Sequence, residues 1–176
     1  MAGALAALAA CGAGESRDMT AAEVAAELRQ LRVEPGLWEV TSLVVDARGE
    51  NMPREARARI KGHRRTIRNC VTPAQAARPD ANFMQIQQRG GCAYRGFSIE
   101  GGRMRGEMRC TGGSLPGAVT TSMDGRYGAG RYDIAMRMVS TGMPEAANMT
   151  IETRTTGRRI GDCRPATPRA PEGGTS

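Results

Sequence analysis

Apolar and polar residues alternate along much of the chain after residue 35. The alternation is clearest over residues 103–110, where Met104, Met108 and Cys110 fall on one face, while arginines and a glutamate fall on the other. Successive side chains of a β-strand point to opposite faces of its sheet. This segment therefore predicts a strand with one buried face and one face in water.

The same pattern predicts further strands, separated by turns that contain glycine. Gly101 and Gly102 join two strands into a hairpin, and residues 128–130 join another pair. The predicted strands are residues 37–46, 56–70, 92–99, 103–110, 119–127, 131–139 and a last strand that begins at Met149. We therefore predict a mainly β fold, an antiparallel meander of about seven strands that forms a barrel or a strongly curved sheet.

One short helix is predicted ahead of the strands, over residues 19–34. Thr20 and Glu23 have capping-box spacing at its start, and Pro35 ends it. Its apolar face consists of Val24, Leu28 and Leu31, flanked by alanines. We expect this helix to pack against the outside of the sheet. A single helical turn capped by Thr72 is predicted in the long irregular segment that follows the second strand.

The composition fits one small β-domain. The chain has 176 residues, with a single Trp and eleven Met. Methionine is a flexible gap-filler, so we expect the core to rely on Val, Ile, Leu, Ala and Met. We divide the chain into a signal remnant (1–10), a lipidated cysteine with its tether (11–18), the helix (19–34), the β-domain (35–163) and a disordered Pro- and Gly-rich tail (164–176).

The first residues resemble the end of a secretion signal followed by a lipid-attachment site. Residues 1–10 are apolar and rich in small residues, and residues 8–11 resemble the bacterial lipobox, whose cysteine is diacylated. We expect Cys11 to anchor the protein to a membrane of the cell envelope, and Gly12 at the next position favours the outer membrane, facing the periplasm. The complete signal is then expected to begin upstream of Met1. The alternative is an Ala-rich helix with an incidental cysteine.

The other four cysteines, Cys70, Cys92, Cys110 and Cys163, predict two disulfides. Disulfides form in oxidising compartments, which agrees with export. Zinc prefers close pairs such as C-x-x-C, and the sequence has none. Four cysteines allow three connectivities. Cys92 and Cys110 lie nearly opposite across their hairpin and are able to pair, but we expect Cys70 to bond Cys92, closing the irregular segment, and Cys110 to bond Cys163.

The sequence presents no evident set of catalytic residues. His63 is the only histidine and lies among Lys61, Arg64 and Arg65, which is typical of a solvated strand face. The carboxylates fall on separate predicted strands, so no acid and base pair is apparent. We therefore predict no enzymatic activity, no metal and no cofactor.

Two methionines offer a different hypothesis, since thioethers suit Cu(I). Met136 and Met138 share a predicted strand face with Tyr132 and Ile134. Filling of the core is the favoured interpretation of this face, and copper binding is the less favoured one.

The chain is strongly basic, with a formal net charge of +7 that comes almost wholly from arginine, because Lys61 is the only lysine. A GC-rich genome accounts for this bias, whereas a polyanion footprint needs basic residues clustered on one face. We expect an envelope domain that binds a small ligand or a protein partner; a closed barrel, for example, holds a small apolar molecule. The alternative is a module that binds lipopolysaccharide or nucleic acid through its Arg-rich strand faces, with nucleic acid the less expected partner.

Several short motifs resemble a known family when they are taken together. They are residues 35–41 (PGLWEVT), residues 70–76 (CVTPAQA), Cys92 and Cys110 on either side of a glycine turn, and residues 157–163 (GRRIGDC). In this combination the chain resembles bacterial domain-of-unknown-function family 3617, from about residue 35 to residue 163. The resemblance implies a small, exported, Met-rich protein, often a lipoprotein. It implies no activity, substrate or catalytic residue.

Overall fold

Eight antiparallel strands form one sheet, with the strand order β1-β4-β5-β6-β7-β8-β2-β3. The computed structural model describes residues 18–79, 91–112, 115–142 and 148–163. The elements are β1 (Asp18–Met19), α1 (Ala21–Leu28), β2 (Gly36–Gly49), α2 (Arg54–Ile60), β3 (Arg64–Val71), α3 (Pro73–Ala76), β4 (Gly91–Glu100), β5 (Arg103–Gly112), β6 (Leu115–Gly128), β7 (Arg131–Thr141) and β8 (Met149–Gly161). The prediction of a mainly β, antiparallel fold is confirmed.

The sheet is curved but not closed into a barrel. Within the described ranges, β1 and β3 lie at its two edges and do not pair with each other. Strands β4 to β8 form a meander, and the long strand β2 then pairs with β8, from Leu37 opposite Gly161 to Gly49 opposite Met149. The first long strand of the chain therefore lies beside the last one.

The two sheet faces differ as the alternation predicts. Met104 on β5 is buried, whereas its neighbours Arg103 and Arg105 are exposed. We call the face that carries Met104, Trp38 and Tyr132 the apolar face. The opposite face, which carries Arg103, Arg137, Arg154 and Arg158, is called the charged face.

Helix α1 packs on the apolar face and supplies the centre of the core. Val24 and Leu28 are 0% and 2% exposed, and they contact a cluster on β4 and β5 that consists of Tyr94, Phe97, Ile99 and Met104. The predicted capping box is present, because the Glu23 backbone N–H donates to Thr20 Oγ1 (3.2 Å) and Thr20 N donates to the Glu23 carboxylate (2.7 Å). The helix is shorter than the predicted span of 19–34, since residues beyond Leu28 leave it to meet the β6–β7 turn.

The predicted strand over residues 56–70 is wrong in its first half. Residues Arg54–Ile60 form helix α2 instead, and only Arg64–Val71 form the strand. Alanine, arginine and glutamate are good helix formers, and Pro53 precedes the first turn without disturbing it. Gly62, with φ 82°, then reverses the chain into β3.

Both disulfides form, but the connectivity we expected is wrong. Cys92 bonds Cys110 and Cys70 bonds Cys163, with Cα–Cα distances of 4.0 and 5.5 Å. Cys92 and Cys110 are direct register partners on β4 and β5. Cys70 is brought near Cys163 because β3 and β8 both pair with the same end of β2, at Leu37.

Several expectations concern residues outside the described ranges. They are the signal remnant (1–10), lipidation of Cys11, the tether up to residue 17 and the tail (164–176). Asp18, assigned to the tether, instead begins β1 opposite Arg95. None of the helices in the described part of the chain has the length and apolar character that crossing a bilayer requires.

Candidate functional site

A cavity of about 460 Å³ opens on the apolar face of the sheet, beside the end of α1. Side chains from five strands form one wall, and α1 with the loop that follows it forms another. The strand residues include Trp38, Val40, Met104, Met123, Tyr132 and Met136. This volume is within the range of about 300–1,000 Å³ that is usual for small-molecule sites.

An aromatic pair fixes one side of the cavity. Trp38 is only 4% exposed, and its indole N–H donates to the Glu34 carbonyl oxygen (2.9 Å). Its ring stacks on Tyr132, with the ring centroids 6.1 Å apart. Since the one polar atom of the indole is satisfied by backbone, the rest of Trp38 presents an apolar surface.

The two rings come from strands that are not neighbours. Trp38 lies on β2 and Tyr132 on β7, and β8 runs between them. Gly157 on β8 pairs with Val40 on one side and with Tyr132 on the other. The absence of a side chain at Gly157 lets the aromatic rings meet across the intervening strand.

Burial raises the pKa of Tyr132 above its ordinary value. Tyr94, under helix α1, has its pKa raised for the same reason. Both phenols therefore stay neutral throughout the physiological range, and Tyr132 contributes no charge to the cavity wall.

Methionines form much of the remaining sheet wall. Met123 on β6 and Met136 on β7 are direct register partners, and Met104 on β5 joins them in the lining. Met138, the other residue of the copper hypothesis, is 36% exposed and is not among the described lining residues. Unbranched thioether side chains adapt to irregular shapes, so this wall is suited to apolar ligands that differ in shape.

The loop between α1 and β2 closes one end of the cavity. The Glu34 N–H donates to the Ala129 carbonyl in the β6–β7 turn (2.9 Å), and Arg159 Nε donates to the Pro35 carbonyl (2.8 Å). Leu31, Arg32 and Val33, which precede these contacts, all line the cavity. The predicted turn α3 also contributes, since Gln75 lines the cavity and completes a capping box with Thr72.

Several arginines on the charged face are paired with carboxylates on neighbouring strands. Arg103 contacts Asp124 (2.7 Å), Arg154 contacts Asp133 (2.5 Å) and Arg137 contacts Glu152 (2.8 Å). The guanidinium of Arg154 lowers the pKa of Asp133. These pairs neutralise part of the positive charge on this face.

Glu39 is an acid of this face that is enclosed between two arginines. It lies between Arg158 on β8 and Arg68 on β3, at 2.7 and 2.9 Å, and both arginines are its direct register partners. Hydrogen bonds from Arg158 and then from Arg68 lower its pKa. Glu39 is therefore ionised and occupied as an ion-pair partner, which makes it unsuited to donate a proton.

Asp46 is a buried carboxylate that the sequence did not single out. It is 7% exposed and accepts hydrogen bonds from Arg48 (2.5 Å) and from Arg57 on α2 (2.9 Å). These hydrogen bonds, with that from Arg48 the stronger influence, lower its pKa to about 2. No local pattern reveals the contact with Arg57, because it depends on α2 folding back onto β2.

The residues considered for catalysis or metal binding do not converge. His63 is exposed at the start of the β2–β3 pairing, where its carbonyl accepts from Val44 N (2.9 Å). Within the described ranges, no group of three His, Cys, Asp or Glu side chains is placed to hold a metal ion. The cavity, by contrast, is lined by residues from five strands, and no sequence pattern predicted that these five strands share a site.

Comparison with protein-family models gives a match. A family model described as "Protein of unknown function (DUF3617)" matches residues 33–163. No curated protein and no solved structure matches the chain. The matched range covers both disulfides and all of the described cavity lining except Leu28, Leu31 and Arg32.

Proposed function

Since the chain belongs to the family described as "Protein of unknown function (DUF3617)", we propose its function from its own geometry: the domain binds a small apolar molecule in the cavity on its apolar face and does not transform it. The observation that carries this proposal is the lining of the cavity. Of the 17 described lining residues, 12 are aliphatic, aromatic or methionine.

Burial of apolar surface supplies the driving force for such binding. Each methylene group that leaves water contributes about 0.8 kcal/mol. The ordered pair of Trp38 and Tyr132 gives a rigid wall, and Met123 and Met136 give an adaptable one. A guest that is mostly hydrocarbon therefore matches the site better than a polar metabolite does.

The lining also supports a binding role over a catalytic one. No carboxylate or histidine is among the described residues that line the cavity. The carboxylates with strongly perturbed environments, such as Glu39 and Asp133, are held in ion pairs on the charged face. General acid and base catalysis needs such groups within hydrogen-bond reach of the ligand.

We further propose that the domain works in the cell envelope, held to the outer membrane by lipid on Cys11. The lipobox-like residues 8–11 support an anchor. Two disulfides in the domain support an oxidising compartment. A membrane-tethered domain with an apolar cavity is suited to hold a molecule that is poorly soluble in water.

Fluorescence titration tests the binding function, because Trp38 is the only tryptophan and lines the cavity. Adding 1-dodecanol to the purified domain is expected to change Trp38 emission saturably. Val40→Phe, which fills the cavity, is expected to abolish the change. Val45→Phe is the matched control, since Val45 is 45% exposed and is not a described lining residue.

Saturable binding that Val40→Phe removes and Val45→Phe retains would support the proposal. No change in emission with 1-dodecanol, or equal binding by both variants, would overturn it.

A further inference from the structure

One charged residue lines the mostly apolar cavity. Among the described lining residues, Arg32 is the only one with a charged side chain. It is also exposed to solvent, so it lies where the cavity opens. A cation at the mouth of an apolar cavity distinguishes one end of a ligand from the other.

The position of Arg32 is fixed by the loop that carries it. On one side, Leu31 N donates to the Leu28 carbonyl (3.1 Å), and on the other, Glu34 N donates to the Ala129 carbonyl (2.9 Å). Leu31 and Val33, on either side of Arg32, line the cavity as well. The backbone of Arg32 is therefore held against the opening at both ends of a short segment.

Arg32 differs in its pairing from the arginines of the charged face that form ion pairs. Arg103, Arg154 and Arg158 each contact a carboxylate within 3 Å, whereas Arg32 forms no hydrogen bond or ion pair with any described residue. The nearest acid along the chain is Glu34, and its carboxylate lies beside Gly130 in the β6–β7 turn. The guanidinium is thus available to an anion from outside the protein.

Two amides accompany Arg32 in the lining. They are Asn69 on β3 and Gln75 on α3. Gln75 Oε1 accepts from Thr72 N (2.9 Å), so the NH₂ group of the same amide remains as a donor. A guanidinium and side-chain amide donors suit an oxyanion such as a carboxylate or a phosphate.

We propose that the ligand is a single-chain anionic amphiphile, a proposal that rests on the apolar-ligand function proposed above. Its hydrocarbon chain lies against Trp38, Tyr132 and the methionines, and its carboxylate or phosphate head lies at Arg32. This arrangement leaves the charge in contact with water while the chain is buried, so no ion has to be desolvated completely.

The test compares three probes that share a twelve-carbon chain: dodecanoate, dodecyl phosphate and 1-dodecanol. Their affinities are measured by Trp38 fluorescence at low ionic strength, below the concentrations at which the probes form micelles. The variant Arg32→Gln removes the charge and keeps a side chain of similar reach. Arg54→Gln is the charge-matched control, because Arg54 is exposed on α2 and is not a described lining residue.

We expect Arg32→Gln to weaken binding of the anionic probes about fivefold, which is the upper range for an exposed ion pair. The affinity for 1-dodecanol should stay unchanged. Arg32→Lys should restore most of the loss, and added salt should reduce the difference between wild type and Arg32→Gln. A loss with only one of the two anions would identify the head group. Unchanged 1-dodecanol affinity also reports that the variant is folded.

Unchanged affinity of Arg32→Gln for both anions would overturn the proposal. So would a loss of affinity for both anions in Arg54→Gln that is as large as the loss in Arg32→Gln. In that case saturable 1-dodecanol binding still supports the cavity as an apolar site. If none of the three probes binds wild-type protein, the proposed function itself fails.

Discussion

Gly157 lies directly beneath the ring of Tyr132, its register partner on the adjacent strand. A Cβ built on Gly157 would lie 2.2 Å from Tyr132 Cε1, well inside van der Waals contact. The same ring stacks on Trp38. The shape of the cavity wall therefore depends on a residue that has no side chain.

Gly157→Ala is expected to displace Tyr132 and to destabilise the domain by about 1–3 kcal/mol, the usual cost of overpacking. Urea unfolding followed by circular dichroism measures the loss, and Trp38 emission reports the broken stack. Gly128→Ala is the control, because a Cβ on Gly128 meets nothing closer than 3.9 Å. Equal stability of the two variants would contradict the account of the aromatic pair.

The disulfides are expected to contribute unequally to stability. Cys70 and Cys163 are 93 residues apart in sequence, whereas Cys92 and Cys110 are 18 apart. Chain-entropy arguments give about 5 kcal/mol for the longer loop and about 3 kcal/mol for the shorter. The paired variants Cys70→Ala with Cys163→Ala and Cys92→Ala with Cys110→Ala, compared by urea unfolding, should rank in that order.

Peptide mapping of unreduced protein checks the connectivity itself. The expected crosslinked peptides join Cys70 to Cys163 and Cys92 to Cys110. A peptide that joins Cys70 to Cys92 would contradict the observed register of β4 and β5.

Stability should fall in acid because of Asp46, whose pKa is lowered to about 2 by Arg48 and Arg57. A carboxylate with a lowered folded-state pKa stabilises the fold above its ordinary pKa, and this contribution is lost as pH falls toward the folded-state value. Asp46→Asn should therefore be less stable than wild type at pH 6, and the difference should shrink between about pH 4 and pH 2.

Urea midpoints over this pH range provide the measurement. Asp124→Asn, at an exposed ion pair with Arg103, serves as the control and should change the midpoint less at pH 6. A gap between wild type and Asp46→Asn that is independent of pH would contradict the electrostatic role of Asp46.

The lipid anchor predicts where the protein is found after cell fractionation. Wild-type protein should sediment with outer membranes, and Cys11→Ala should release it or block processing of its signal. Mass spectrometry of the mature N-terminus checks the modification. Wild-type protein that is wholly soluble and retains Met1 would contradict lipidation.

Local patterns in the sequence predicted the local parts of the fold. The β4–β5 and β6–β7 hairpins formed where alternating strands meet at glycines, and Thr20 and Thr72 cap their helices as their spacing indicates. Each of these features depends on residues within one turn or one hairpin. Residues 54–60 were misassigned because, without clear alternation, their helix propensity competed with a β interpretation.

The cavity and one disulfide could not be predicted because they depend on distant pairing. Trp38 and Tyr132 meet only because β2 pairs with β8, which brings the start of the domain beside its end. The same pairing sets Cys70 near Cys163. Alternation along single strands identifies which side chains share a face, but it does not give the order of the strands.

The most direct test of the binding function is a crystal structure of the domain grown with 12-bromododecan-1-ol, whose bromine is located by its anomalous scattering. We expect an alkyl chain within the cavity, in contact with Trp38, Tyr132 and Met123, and a bromine peak inside the same volume. A cavity without alkyl density, at a probe concentration that saturates the change in Trp38 emission, would contradict it.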